Sequence, residues 1–162
     1  MAEELSRSAQ KVQEYLSKFD SSLEVMELAG STRTAQDAAD SVGCSVAQIA
    51  KSLVFQDKNS DELVLVIASG INRVDTKKIA KTTGSNLKQA KADLVKEKTG
   101  FAIGGIPPVG HAEPLKTVLD EDLQHYETIW AAAGTPFAVV KLTPELLWSL
   151  TGGTWLDVRQ ER

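Results

Sequence analysis

Apolar positions along the 162-residue chain alternate or run together in short stretches, and helical spacing fills most of the intervals between them. Residues 5–19 place Val12, Leu16 and Phe19 near helical spacing and stop at Asp20-Ser21-Ser22, which predicts an N-terminal helix. "LEVMEL" at 23–28 alternates as a strand. Ser31 or Thr32 can cap a helix through "AQDAADSV", with Gly43 to end it. Ser45 can cap a short helix, "VAQIA", that feeds "KSLVFQ". In strand geometry Lys51, Leu53 and Phe55 share one face, and Ser52, Val54 and Gln56 share the other. An ammonium group therefore stands on the more apolar side. "DKNSDE" reads as a turn and "LVLVIASG" as a buried strand.

Further along, Asp75 or Thr76 opens a short helix that "TTGSN" breaks. "LKQAKADLVKEKTG" predicts a helix with Leu87, Ala90 and Leu94 on one face and a stop at Gly100. "KTVLD" is a strand and "EDLQ" a turn or short helix. "ETIWAA" and "PFAVVKL" are neighbouring strands around Gly134-Thr135. "TPELLWSLTGG" carries Thr143 at the cap, Pro144 first in the helix and two glycines at the exit. "TWLDV" closes as a strand. Hairpin-length links join several strands, so the expected fold is α/β (α+β): one mixed-sheet domain over 1–162, surrounded by helices, not a doubly wound parallel sheet. The first twenty residues form its N-terminal helix. The final "RQER", 159–162, is expected to fray.

Apolar content of 42% and charged content of 25% suit a water-soluble globular chain. Its apolar runs are too short to cross a membrane, and the N-terminus lacks a secretory pattern. A single cysteine, Cys44, excludes an internal disulfide and points to a reducing, cytoplasmic setting. The net charge of −4 argues against a protein that coats nucleic acid, and no DNA partner is expected. Its distribution changes the picture. Between Arg73 and Lys98 eight basic residues face three acidic ones, a local +5 that could meet a phosphate backbone. Solvated helix faces would give the same count.

Candidate chemistry is sparse. "GGIPPVG", from Gly104, joins permissive glycines to two prolines without N–H groups, which leaves a stiff loop rich in carbonyl acceptors; a tight structural turn would look the same. "SGINR" follows a buried strand and offers Ser69, Gly70, Asn72 and Arg73 at a position that often lines ligand sites, though a solvent-facing loop would read alike. A third loop is "AAAGTP", with Gly134 and Thr135. His111 and His125 stand apart from any metal-ligand spacing. Dinucleotide, phosphate-loop and nucleophile-elbow motifs are absent from the sequence. Cys44 has no evident base partner and reads as a half-buried structural thiol. Trp130, Trp148 and Trp155 suit core or edge packing better than base stacking.

Four stretches then appear in a telling order: "AADSVGCSVAQIAKSLVFQ", "LVLVIASGINRVDTKKIAK", "GFAIGGIPPVGH" and "AAAGTPFAVVKLTPELLWSLTGG". In these the chain resembles the YbaK/ProX (EbsC-type) family, free-standing relatives of the editing domain of bacterial prolyl-tRNA synthetase, over roughly residues 23–158. The resemblance implies trans-editing: hydrolysis of the ester of a mischarged aminoacyl-tRNA, with no metal, no cofactor and no covalent enzyme intermediate. A hydroxyl of the terminal adenosine would help activate water. The family's lysine falls on Lys51, and its G-x-x-x-P loop on Gly104 to Pro108, bringing Gly104, Gly105, Pro107 and Pro108 into the site. Substrate contacts are expected from Ser69, Gly70, Asn72, Arg73, Ile103, Ile106, Gly134 and Thr135, with Val54 lining the amino-acid pocket. The loop after "ETIW" lacks the serine or acidic residue of some relatives, so that pocket is expected to be small and apolar, for alanine, serine or cysteine. Lys77, Lys78, Lys81, Lys88 and Lys91 are the candidates for contact with the tRNA acceptor end. A synthetase or elongation factor could hand over the substrate. His111, just after the loop, is a further candidate. The competing readings are a non-catalytic tRNA- or synthetase-binding module of the same fold, and a small-molecule or nucleotide-binding domain.

Overall fold

A computed structural model describes residues 6–32 and 34–161; Leu5, in the expected first helix, lies outside them. Helix α1 (Arg7–Phe19) begins at Ser6, whose hydroxyl accepts from the Ala9 N–H, and buries Ala9, Val12 and Leu16. Phe19, expected on the same face, is instead 49% exposed, because the stripe runs through Ala9 rather than the last turn. Strand β1 is Val25–Glu27. Helix α2 (Ala35–Val42) is capped by Thr34, not by Ser31 or Thr32, and ends on the left-handed Gly43. A single 3-10 turn, Val46–Gln48, leads into β2 (Ile49–Asp57), which pairs as a long hairpin with β3 (Leu63–Ser69). β3 is buried along its whole length.

Helix α3 (Thr76–Thr83) is capped by Asp75, whose carboxylate accepts from the N–H groups of Lys77 and Lys78. The stretch expected as one helix divides. Leu87–Gln89 is β4, paired antiparallel with the far end of β2, and only Ala92–Thr99 is helix α4. Leu87 and Ala90 have helical spacing, but the far end of β2 captures Leu87–Gln89 as a strand. Strand β5 (Lys116–Asp120) lies parallel to β3. Strands β6 (Ile129–Ala132) and β7 (Ala138–Leu142) form a hairpin; helix α5 (Pro144–Thr151) and β8 (Thr154–Leu156) complete the chain.

The strands form one mixed sheet in the order β1-β7-β6-β2-β3-β5-β8, with β4 as a third neighbour of β2. Helix α1 and the glycine–proline loop pack their apolar residues into the larger core, with Leu65, Ile67 and Val140; Ile79 of α3 packs with Val64, Val66 and Ala68 on the other side of β3. The tail is docked rather than frayed. Arg159 bridges Val74, the Gln160 N–H donates to Arg73, and Glu161 pairs with Lys78. Arg162 lies outside the described residues.

One feature of the sheet sets up the site. β6 runs parallel to β2 only at Ile49 and Ala50, and β4 pairs with Phe55–Asp57 on the same edge. Between them, Lys51–Val54 has a strand neighbour only on the β3 side. The sheet has a gap there.

Candidate active site

The gap opens on two cavities of about 460 Å³ and 280 Å³. Both are lined by Lys51, Ser52 and Leu53 of β2 and by Ile103 and Ile106 of the facing loop. Gly70, Gly104 and Trp130 line only the larger, and Arg73, Val54 and Gln89 only the smaller.

Lys51 stands opposite Ala68 of β3, so a methyl group is its cross-strand neighbour and leaves the long stem room. It is half-buried, and no carboxylate among the described residues reaches ion-pair distance of its amine. Burial is the main force that holds its pKa below the ordinary lysine value. The nearby Arg73 charge adds to the shift, and Asp120 opposes it. A cation held this way seeks an anion that the protein itself does not supply.

The loop that lines both cavities with Lys51 is held from behind. A Cβ on Gly105 would lie 2.7 Å from the Thr135 backbone, so only glycine allows the two loops to touch. The Gly134 N–H donates to the Gly105 carbonyl at 2.8 Å. His111 bonds back through Nε2 to the Pro107 carbonyl at 2.7 Å, and burial lowers its pKa. Gly105, Pro107 and Pro108 are buried. Two carbonyls expected to face a ligand, those of Gly105 and Pro107, are therefore spent inside the loop, while Ile103, Gly104 and Ile106 meet the cavities. Gly134 and Thr135 act as a strut behind the loop and line neither cavity. His111 lines a separate groove with Tyr15.

The "SGINR" turn divides likewise. Ser69 and Asn72 are 0% and 2% exposed, so they are not open to a ligand. The Ser69 hydroxyl donates to the Ala47 carbonyl, and Asn72 donates to Asp120 and Asp122. Buried Asp120, which the sequence reading passed over, also accepts the N–H groups of Ser69 and Asp122. These bonds fix the turn that presents Gly70 to one cavity and Arg73 to the other. Of the basic candidates, Lys78 is tied to Asp157 and Glu161 at 3.1 and 2.8 Å, and those carboxylates raise its pKa. Lys77, Lys81, Lys88 and Lys91 are exposed. Lys88 and Lys91 flank Gln89 and Ala90, which line the smaller cavity. Cys44 is half-buried, and desolvation raises its pKa, as suits a structural thiol. Trp148 is 51% exposed and so is not a core residue.

Two residues with no motif belong to the larger cavity. The hydroxyls of Thr32 and Ser52 are buried without a hydrogen-bond partner among the described residues, and both residues line it. Neither stands out in the sequence, since a lone strand serine and a loop threonine are ordinary. The available signal is Ser52's place beside Lys51.

Comparison with known proteins bears on this geometry. The family model described as "Aminoacyl-tRNA editing domain" matches residues 29–149, which span the gap, the facing loop and the strut. The uncharacterised protein YwhH of Bacillus subtilis (strain 168) is 32% identical over 152 residues, 93% of this chain and 96% of its own. EbsC of Enterococcus faecalis (strain ATCC 700802 / V583), named as a candidate Cys-tRNA(Pro)/Cys-tRNA(Cys) deacylase, is 31% identical over 77% of this chain and 76% of its own. A crystal structure described as a candidate trans-editing enzyme for prolyl-tRNA synthetase superposes with a TM-score of 0.91 at 47% identity, covering 98% of this chain and 100% of that one.

Proposed function

The chain belongs to the aminoacyl-tRNA editing domain family, and from that premise we propose that it hydrolyses, in trans, the ester of a mischarged aminoacyl-tRNA carrying a small amino acid such as alanine, serine or cysteine. The observation that carries this reading is the half-buried Lys51 amine, unpaired by any described carboxylate, at a gap between two cavities. The substrate tip brings what the site lacks: an anionic phosphate, an ester whose oxygen gains charge during attack, and an α-ammonium. Lys51 and Arg73 meet the negative charge, and a preorganised cation in a partly water-free cleft favours the transition state over the free ester. Gly104 and Ile106 form the opposite wall.

Water is the nucleophile. It adds to the ester carbonyl carbon, positioned by a hydroxyl of the terminal ribose. The bond to the ribose oxygen then breaks, that oxygen takes a proton, and the free amino acid leaves. Positioning of bound groups supplies much of the rate in such a step. The acceptor end approaches along Lys88 and Lys91, with Lys77 and Lys81 as further phosphate contacts and Lys78 already neutralised. A donor protein such as a synthetase or elongation factor could deliver the substrate.

The test is a panel of aminoacyl-tRNAs charged with alanine, serine, cysteine and proline. Loss of one or more esters of small non-cognate residues supports the reading. Binding of tRNA with no ester loss would favour the non-catalytic module instead.

A further inference from the structure

β2 lacks one rung, and its position follows from strand parity. The Gly70 N–H donates to the Ile49 carbonyl on the β3 side, while the Lys58 N–H donates to Asn86 on the β4 side. In a regular strand, peptide groups alternate between edges, and the β2–β3 register runs unbroken from Ala50 to Gln56. The N–H and C=O of Ser52 therefore point away from β3, into the gap. Ala50 is taken by the β6 ladder and Gln56 by the β4 ladder, and Val54 adjoins the Phe55–Gln89 pair at the end of that ladder; Ser52 is in neither. No loop or side chain among the described residues hydrogen-bonds to its peptide groups. Its hydroxyl is also buried without a partner among the described residues, as is that of Thr32, a residue only 8% exposed on the same cavity. Polar groups placed at a cavity without a protein partner are suited to a ligand that pairs them.

We propose that the aminoacyl group of the substrate docks as a single strand residue opposite Ser52 and completes the missing rung. An aminoacyl ester carries a donor, the α-ammonium, and an acceptor, the ester carbonyl, on either side of one α-carbon. That is the donor–acceptor pair with which a residue in an antiparallel ladder exchanges two hydrogen bonds with its partner. The Ser52 carbonyl accepts from the ammonium. The Ser52 N–H donates to the ester carbonyl oxygen, which becomes the oxyanion when water adds to the carbon. The N–H is then a catalytic donor, and Lys51, whose side chain leaves the opposite face of the strand, is left with Arg73 for the phosphate. Side chains of directly opposed strand residues lie on the same face. The substrate side chain therefore sits beside the Ser52 hydroxyl, over the larger cavity. The inference rests on the aminoacyl-ester reading above and adds the group that reads the ester.

Ribosomal incorporation of the α-hydroxy analogue of serine at position 52 replaces the Lys51–Ser52 amide by an ester, which deletes the Ser52 N–H and weakens the Lys51 carbonyl as an acceptor. The full-length variant is compared with the unaltered protein on the most reactive aminoacyl-tRNA of the panel. The lost donor faces the gap, while the weakened Lys51 carbonyl faces β3, so the thermal midpoint should fall by no more than the loss of one strand hydrogen bond, with the fold retained. The expected result is a fall in kcat/KM of about 100-fold, the scale seen when one oxyanion donor is removed. Activity within twofold of the unaltered protein would overturn the rung while leaving the function intact. An unaltered protein that cleaves none of the esters would overturn both. Should the variant fold poorly, amide exchange in the unaltered protein decides. A non-hydrolysable 3′-aminoacylamino-3′-deoxyadenosine should slow exchange of the Ser52 N–H at least tenfold, and unchanged exchange with the analogue bound would refute the contact.

Discussion

At the scale of the residue, Lys51 is where stability and function part. Its pKa is lowered in the folded chain, chiefly by burial. The charged form is therefore less favourable in the fold than in the unfolded chain. Between the folded and the ordinary lysine pKa the unfolded state binds more protons, so stability rises as pH rises through that window. Below it, the folded protein carries the full cost of the charge. Lys51→Met should then leave stability level or raise it by about 1 kcal/mol or less at neutral pH, since half-exposure screens the effect. Chemical denaturation at pH 7 and at pH 10 checks this, and the advantage of the variant should shrink at the higher pH. The same shift bears on activity. As pH climbs, Lys51 loses its charge sooner than an ordinary lysine, so deacylation, corrected for spontaneous ester loss, should fall early on the alkaline side. In Lys51→Arg, which keeps its charge, that fall should be absent even if the overall rate is lower.

At the scale of the element, the glycine–proline loop is placed by its back rather than by its face. Gly105→Ala would put a methyl group 2.7 Å from the Thr135 backbone and force the loop from its strut. The expected cost is about 1–3 kcal/mol of stability by thermal unfolding, with at least a tenfold loss of deacylation. Much at this scale can be read from the sequence. Thr143 with Pro144 marks the start of α5, Gly43 and Gly100 end their helices, and the alternation in "KSLVFQ" puts Lys51 on the face of Leu53 and Phe55. What stays hidden is set by partners distant in the chain. Leu87–Gln89 carries helix-like spacing, yet becomes a strand because β2 presents an edge to it. The gap exists because the pairing of β6 with β2, which starts at Trp130 and Ile49, ends after two residue pairs. Ser52 gives no signal of its own, since its unpaired peptide follows from where two ladders end. Ser69 and Asn72 mislead for the opposite reason: polar residues after a strand suggest a ligand site, but buried Asp120 claims them.

At the scale of the whole molecule, an acidic protein carries one basic region whose chain runs past its cleft. Lys88 and Lys91 are exposed on either side of residues that line the smaller cavity, whereas Lys78 is held by Asp157 and Glu161. Charge reversal at Lys88 and Lys91 together should weaken tRNA binding about tenfold or more and flatten its dependence on salt, because fewer counterions are released. Lys78→Gln should change that salt slope little, and filter binding between 50 and 200 mM salt, the range over which such contacts fade, distinguishes the two.

The central claim is that the Lys51 ammonium, unpaired by any described carboxylate, meets the negative charge that a bound aminoacyl-tRNA brings to the cleft during hydrolysis. Single-turnover deacylation by the unaltered protein and by Lys51→Met, with folding monitored in parallel, tests it most directly. The account predicts a folded variant slowed at least 100-fold on the ester that the unaltered protein cleaves fastest. A folded variant that releases the amino acid at the unaltered rate would contradict it.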